Sequence, residues 1–238
     1  MKLEILEHIH LNDFMVISSL PDMGKVGGIV SSFLSKKLDS KNIANIEAIE
    51  KPWVSHFNGI VKPILDFYKI YFSEKYNIII FTGDSQPQDS NELYSLCNIF
   101  LDYILSIGKI KCLYSAGGYL KQQVTGAPKV CGVTNNPELK PRLFNSGIDL
   151  VGNEIGNITW FNGLILGLAW QRGIDAIGLF GEISKTDIKQ PLAAKSIINA
   201  FSKLEEIRID TKDLDKEYED LMEDVYNKKE TNNHNNNV

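Results

Sequence analysis

The chain predicts one α/β domain, helices packed over a mostly parallel sheet, with a helical extension at its C-terminal end. Three observations carry this. Short apolar runs alternate with segments of helical spacing along most of the 238 residues, the pattern that builds layered α/β folds. No stretch is rich enough in Pro, Gly or Ser to divide the chain. The segment Ile155 to Glu182, IGNITWFNGLILGLAWQRGIDAIGLFGE, reads as a buried helix, a tight turn and a core strand in immediate succession, and the rest is arranged around it.

Taken in order, Phe14 to Leu20 is a strand that runs into Pro21-Asp22-Met23-Gly24. Val26 to Leu38 has helical spacing, with Val26, Val30, Phe33, Leu34 and Leu38 apolar. Ile43 to Ile49 is extended, Lys51-Pro52-Trp53 interrupts it, and a less regular stretch runs through Pro63. Leu65 to Ser73 suits an outer strand, and Tyr76 to Thr82 is the clearest β run of the first half. Ser90 or Asn91 caps a helix reaching Ile107, with Leu93, Leu96, Cys97, Phe100 and Ile104 on one face and Gly108 as its stop. Ile110 to Ser115 is the next strand. Ala116-Gly117-Gly118-Tyr119 follows it as a sharp turn or a close backbone approach at a sheet rim. Lys129 to Thr134 is a short strand and Pro137 to Ser146 a short helix.

In the central segment, Asn162 stands at the N-cap position of a helix that Gly173 ends. Leu164, Ile165, Leu166, Leu168, Ala169 and Trp170 leave little room for a wet face, which places this helix deep, on the sheet or against another subunit. Ile174 to Phe180 is a strand buried on both faces. Gln190 to Ile207 is amphipathic. The reading divides the chain into an α/β domain over 1–210, an amphipathic helix over 211–229 and a disordered polar tail over 230–238.

Composition narrows the function classes. A net charge of -5 and a pI near 5.5 argue against a nucleic-acid footprint. No apolar stretch approaches the roughly 20 residues that span a bilayer, and MKLEILEHIHLNDF lacks the basic start and apolar run of a signal peptide. Cys97, Cys112 and Cys131 share no CxxC spacing, and His8, His10, His56 and His234 form no HExxH pattern. A cytoplasmic protein with no metal, no disulfide framework, no nucleic-acid partner and no membrane partner is expected.

Few motifs point to catalysis. PDMGKVGG, Pro21 to Gly28, opens a helix where phosphates often bind, but its glycines at 24, 27 and 28 match neither GxxxxGK[ST] nor GxGxxG. A tight turn with close helix packing is the better reading. Asp84, Glu154 and Glu182 lie near the ends of apolar runs, where α/β sheets bind ligands and paired carboxylates could do acid/base work. They define the alternative function, an enzyme with a phosphorylase-like or hydrolase site at the strand carboxyl ends. Trp160 and Phe161, just before the apolar helix, suit either the core or an interface.

The order of motifs says more than any one. SLPDMGKVGG, then GGYL at Gly117, VCGVTNNPELKPRL from Val130, NGLILGLAWQRGIDAIGLFGE from Asn162, QPLAAKSIINAF from Gln190 and IDTKDL from Ile209 together resemble the proteasome assembly chaperone 2 family, particularly its archaeal members. The resemblance covers nearly the whole chain. It implies a Rossmann-like core related in shape to nucleoside phosphorylases, no catalytic residue and no cofactor. It also implies an ATP-independent chaperone or scaffold, a homo-oligomer, that binds proteasome α subunits. Archaeal members are thought to dock through a terminal hydrophobic-Tyr-any motif; here Val225-Tyr226-Asn227 is internal, with eleven residues after it. The helix from Asp213 to Tyr226 is the candidate contact, with Leu221, Met222, Val225 and Tyr226 either presented to a partner groove or covering the domain core.

Overall fold

The computed structural model describes residues 1–48, 54–152 and 155–235, with side chains of the last segment as far as Asp224. Its first half runs β1 (Lys2–Ile5), β2 (Leu11–Ser18), α1 (Val26–Lys37), β3 (Lys41–Ala48), β4 (Val54–Phe57), β5 (Ile60–Pro63), β6 (Asp66–Ser73), β7 (Ile78–Gly83) and α2 (Ser90–Ser106). The second half continues with β8 (Gly108–Leu120), β9 (Val130–Thr134), α3 (Lys140–Asn145), β10 (Asp149–Leu150), α4 (Trp160–Gln171), β11 (Ala176–Ile183), α5 (Pro191–Leu204) and α6 (Lys212–Asn235). The backbone of α6 thus stays helical six residues past the expected Lys229. The break expected at Lys51-Pro52-Trp53 lies outside the described residues.

Nine strands form one sheet in the order β1-β3-β6-β7-β2-β8-β11-β9-β10. The central four, β7, β2, β8 and β11, are parallel. Antiparallel pairings of β1, β3 and β6 extend one side, and β9 pairs antiparallel with β11 on the other. This is the Rossmann-like core with helices on both faces. The alternation of β2 explains its place. Phe14 and Val16 enter one apolar layer with α2 and α4, while Met15 and Ile17 enter the other with α1, α5 and Leu214 of α6. A strand buried on both faces has no room for polar residues, which is why FMVI reads as a continuous apolar run.

Several elements differ from expectation. The segment 65–73 is no outer strand, because β6 is hydrogen-bonded to β3 on one side and β7 on the other. Its alternation of buried and half-exposed residues, which suggests an edge, comes from unequal cover on its two faces. The helix expected from Ser90 or Asn91 is capped one residue earlier, by Asp89, whose side chain accepts from the backbone NH of Asn91 at 2.8 Å and Glu92 at 3.1 Å. Within the stretch expected to be irregular, β4 and β5 form a separate two-stranded hairpin. Asn58-Gly59 turns it, both with left-handed φ (49° and 76°), as the tightest hairpin turns require. β1 carries only four residues, mostly exposed, and no apolar run marks it.

α6 is tied down at its start. Leu214 is buried, and Lys37–Asp213 (2.7 Å), Lys195–Asp215 (2.6 Å) and Lys189–Glu217 (3.1 Å) link its first turns to α1, α5 and the loop before α5. No helix among the described residues is long and apolar enough to cross a membrane.

Candidate functional site

β2 and β8 are neighbours, yet the chain leaves them in opposite directions. β2 is followed by α1 on one face and then β3; β8 leads through α4 on the other face to β11. Such a switch point opens a crevice beyond the carboxyl ends of the strands. A cavity of about 610 Å³ lies there, lined by Asp22, Gln86, Gly118, Ile158, Trp160 and Phe180, among others.

The floor is built by side chains capping backbone groups. Asp22, just after β2, accepts from Gly27 NH through Oδ1 at 2.9 Å and from Gly118 NH through Oδ2 at 2.6 Å. Asn162 of α4 accepts from Leu20 NH at 2.9 Å and donates to the Leu20 carbonyl at 3.0 Å. Gln86 donates to the Pro21 carbonyl at 2.5 Å and accepts from Phe161 NH at 2.9 Å. Ser19 Oγ accepts from Ala116 NH at 2.7 Å. The starts of α1 and α4 are in this way sewn to the ends of β2 and β8.

This arrangement decides the PDMGKVGG segment in favour of close packing. A Cβ at Gly27 would stand 2.6 Å from the carbonyl oxygens of Ala116 and Leu20, and one at Gly28 would stand 2.7 Å from Pro21. Of the donors a phosphate would use, the Gly27 NH is held by the Asp22 side chain and the Lys25 NH by the Asp22 carbonyl. Gly117 and Gly118 give the close approach expected of them but no turn and no rim, for β8 continues through both in the middle of the sheet. What approaches is the loop after β2: Met23 O would be 2.6 Å from a Cβ at Gly118. Asn162 does not cap α4. Thr159 holds the N-cap position, and Asn162, one turn inside, is buried because the loop end of β2 needs its amide.

Burial pushes the Asp22 carboxyl up to about 6, against the backbone NH groups of Gly27 and Gly118 and the Asn162 amide, which pull it down. Glu182 behaves otherwise. Burial raises it, but Lys121 at 2.6 Å and the Lys129 NH at 3.1 Å hold its carboxyl below the usual range. Among the described residues the cavity is lined by neither Glu182 nor Asp84, and Asp84 lines a separate groove beside α1. The structure does not bring those two carboxylates together there; Glu154 lies outside the described residues. Burial also pushes the Cys97 and Cys112 thiols up to about 12, the wrong direction for a nucleophile. Among the described residues no three His, Cys, Asp or Glu side chains gather as metal ligands would.

The expected partner-facing residues separate. Trp160 lines the cavity, 48% exposed, with a left-handed backbone (φ 57°). Phe161 is fully buried against Phe81, ring centroids 5.2 Å apart, so it belongs to the core and is no interface anchor. Met222 is exposed and Leu221 half-buried on α6. The side chains of Val225 and Tyr226 lie outside the described residues. Sequence reasoning missed Asp22, Gln86 and Asn162 as the groups that build the site.

Comparison with known proteins places this architecture. The model of the PAC2 family matches residues 16–228. The chain belongs to the PAC2 family. An uncharacterized protein from Methanocaldococcus jannaschii is 28% identical over 209 residues, 87% of this chain and 79% of its own length. Pyrococcus furiosus PbaB, described as an archaeal proteasome activator, superposes with a TM-score of 0.81 at 26% identity over 96% of this chain and 98% of its own. P. furiosus PbaA, an archaeal homolog of proteasome-assembly chaperone, gives 0.76 at 22% identity over 94% and 95%. At that identity the likeness to PbaA supports the fold alone.

Proposed function

We propose that this PAC2 protein is a proteasome-directed chaperone or scaffold, cytoplasmic and homo-oligomeric, that binds proteasome α subunits without ATP and makes or breaks no bond. The observation that carries this reading is its similarity to PbaB, a proteasome activator, across nearly the full length of both chains. The α/β unit of residues 1–210 is the rigid body, and the segment from 211 is the arm that meets the partner, with Leu221, Met222, Val225 and Tyr226 as its contact residues and Trp160 as a second contact on the body.

The surface is of a kind that supports protein binding. Val54, Phe57, Ile60 and Val61 on the β4–β5 hairpin are 56–78% exposed, a concentration of apolar side chains that a monomer has little reason to leave wet. The Lys37, Lys195 and Lys189 ion pairs hold the first turns of α6 on the body, so its later turns project from a fixed base.

Replacing Leu221, Val225 and Tyr226 together by Ala and measuring co-purification with recombinant α subunits tests the reading. Binding by the native chain and its loss in a folded variant are expected. Undiminished binding removes α6 as the contact, and no binding by the native chain removes the partner.

A further inference from the structure

The cavity at the switch point has a definite electrostatic character. Among the described residues its lining holds one ionisable carboxylate, Asp22, and no lysine, arginine or histidine. Three backbone donors beside the cavity are already donating, Gly27 at the start of α1 and Gly118 of β8 to Asp22, and Phe161 at the start of α4 to Gln86. The geometry that makes helix starts good phosphate sites is filled from within the chain. A phosphate or carboxylate ligand would meet a like charge and no free backbone donor at these positions.

What the cavity offers is negative charge and apolar wall. Each Asp22 oxygen accepts one backbone NH, with the Asp22 NH and the Asn162 amide also directed at the group. Asp22 is only partly buried and lines the cavity, so its charge faces a ligand there. Trp160, Ile158 and Phe180 supply the wall. The half-exposed Trp160 indole is a surface that attracts a cation, and its left-handed backbone is the kind of strain that a fold keeps at ligand sites. The volume, about 610 Å³, suits a small organic molecule. A bare metal ion would use none of the apolar wall.

We propose that this cavity binds an organic cation, a protonated amine or guanidine on an apolar stem, with its charge at Asp22 and its stem against Trp160 and Ile158. A buried carboxylate facing no counter-charge is costly, and an incoming ammonium or guanidinium supplies one. Burial already pushes the Asp22 carboxyl up to about 6, the direction expected of such a group. The inference shares Trp160 with the proposed partner surface but does not rest on that partner, and its test contains no proteasome subunit.

Three probes on one phenethyl stem decide it: phenethylamine as the cation, 2-phenylethanol as the neutral form and 3-phenylpropionate as the anion, titrated calorimetrically into the full chain at about pH 8, where carboxylates are ionised. Saturable one-to-one binding of the amine, at least roughly tenfold tighter than the alcohol, is expected, since a charge-assisted hydrogen bond is about twice as strong as a neutral one. The anion is expected not to bind. Asp22→Asn abolishes the preference for amine over alcohol, whereas Trp160→Leu weakens both and keeps it. If Asp22→Asn does not fold, the preference in the native chain and in Trp160→Leu still decides. Equal binding of amine and alcohol, tighter binding of the anion, no binding of the amine, or an unchanged preference in folded Asp22→Asn overturns the proposal.

Discussion

Asn162 and Leu20, 142 positions apart, form a two-way pair: Leu20 NH donates to Asn162 Oδ1 at 2.9 Å and Asn162 Nδ2 donates back to the Leu20 carbonyl at 3.0 Å. The amide thereby imitates the edge of a neighbouring strand at the point where β2 leaves the sheet, and both groups are buried. Asn162→Leu keeps the bulk but strands a buried NH and a buried carbonyl, which at about 1–3 kcal/mol for each unsatisfied group should cost about 2–6 kcal/mol. Urea unfolding of the two proteins measures the difference.

Asp22 gives the fold an unusual pH dependence. Its carboxyl is raised by burial from 3.8 to about 6, so between these values the native chain keeps a proton that the unfolded chain has lost. Stability from this group therefore falls as pH rises from about 4 to about 6 and is level above, a change of about 2–3 kcal/mol. Glu182, held low by its lysine partners, works in the opposite sense, its contribution fading as pH drops. Subtracting the pH–stability curve of Asp22→Asn from that of the native chain isolates the Asp22 slope; parallel curves would contradict it.

Two glycines predict opposite outcomes. Gly27→Ala places a methyl 2.6 Å from two backbone oxygens, Ala116 O and Leu20 O, which have no rotamer to escape into. A loss of about 3 kcal/mol, at the upper end of overpacking, or failure to fold is expected. Gly167 of α4 is exposed and a Cβ there meets nothing within 4 Å, so Gly167→Ala should stabilise by about 1 kcal/mol through helix propensity alone. Thermal melts of both variants separate the two mechanisms.

Glu205, ending α5, holds three partners. Its side chain, 2% exposed, pairs with Arg142 at 2.5 Å and Lys111 at 3.0 Å and accepts the Tyr114 hydroxyl. Glu205→Ala leaves the half-buried Arg142 and the buried Tyr114 without it, at a cost of about 3–5 kcal/mol. Glu205→Gln, which keeps the shape, should lose less. Chemical denaturation of the pair gives the ordering.

The strongly patterned elements were legible in the sequence. The strand cores at Phe14–Ile17 and Ile78–Phe81 and the apolar stripe of α2 each carry enough consecutive apolar signal to declare themselves. The β4–β5 hairpin was missed although Asn58-Gly59 is a turn signal, because exposed strands of four residues offer no apolar alternation to frame it. The site was harder. Asp22 looks like a turn residue and Asn162 like a helix cap, since both residue types serve those local roles. Their actual partners, Gly118 and Leu20, are 96 and 142 positions distant, and only the packing of α1 and α4 onto the strand ends brings them within reach. Phe161 and Trp160 are adjacent in sequence yet one is core and the other cavity wall, a difference that follows from how α4 starts and not from residue type.

Native mass spectrometry of the full chain mixed with recombinant proteasome α subunits addresses the central claim most directly. A discrete complex containing both chains, formed without ATP, is the predicted result. Free α subunits beside the unbound chain, across the whole concentration range of the mixture, would contradict it.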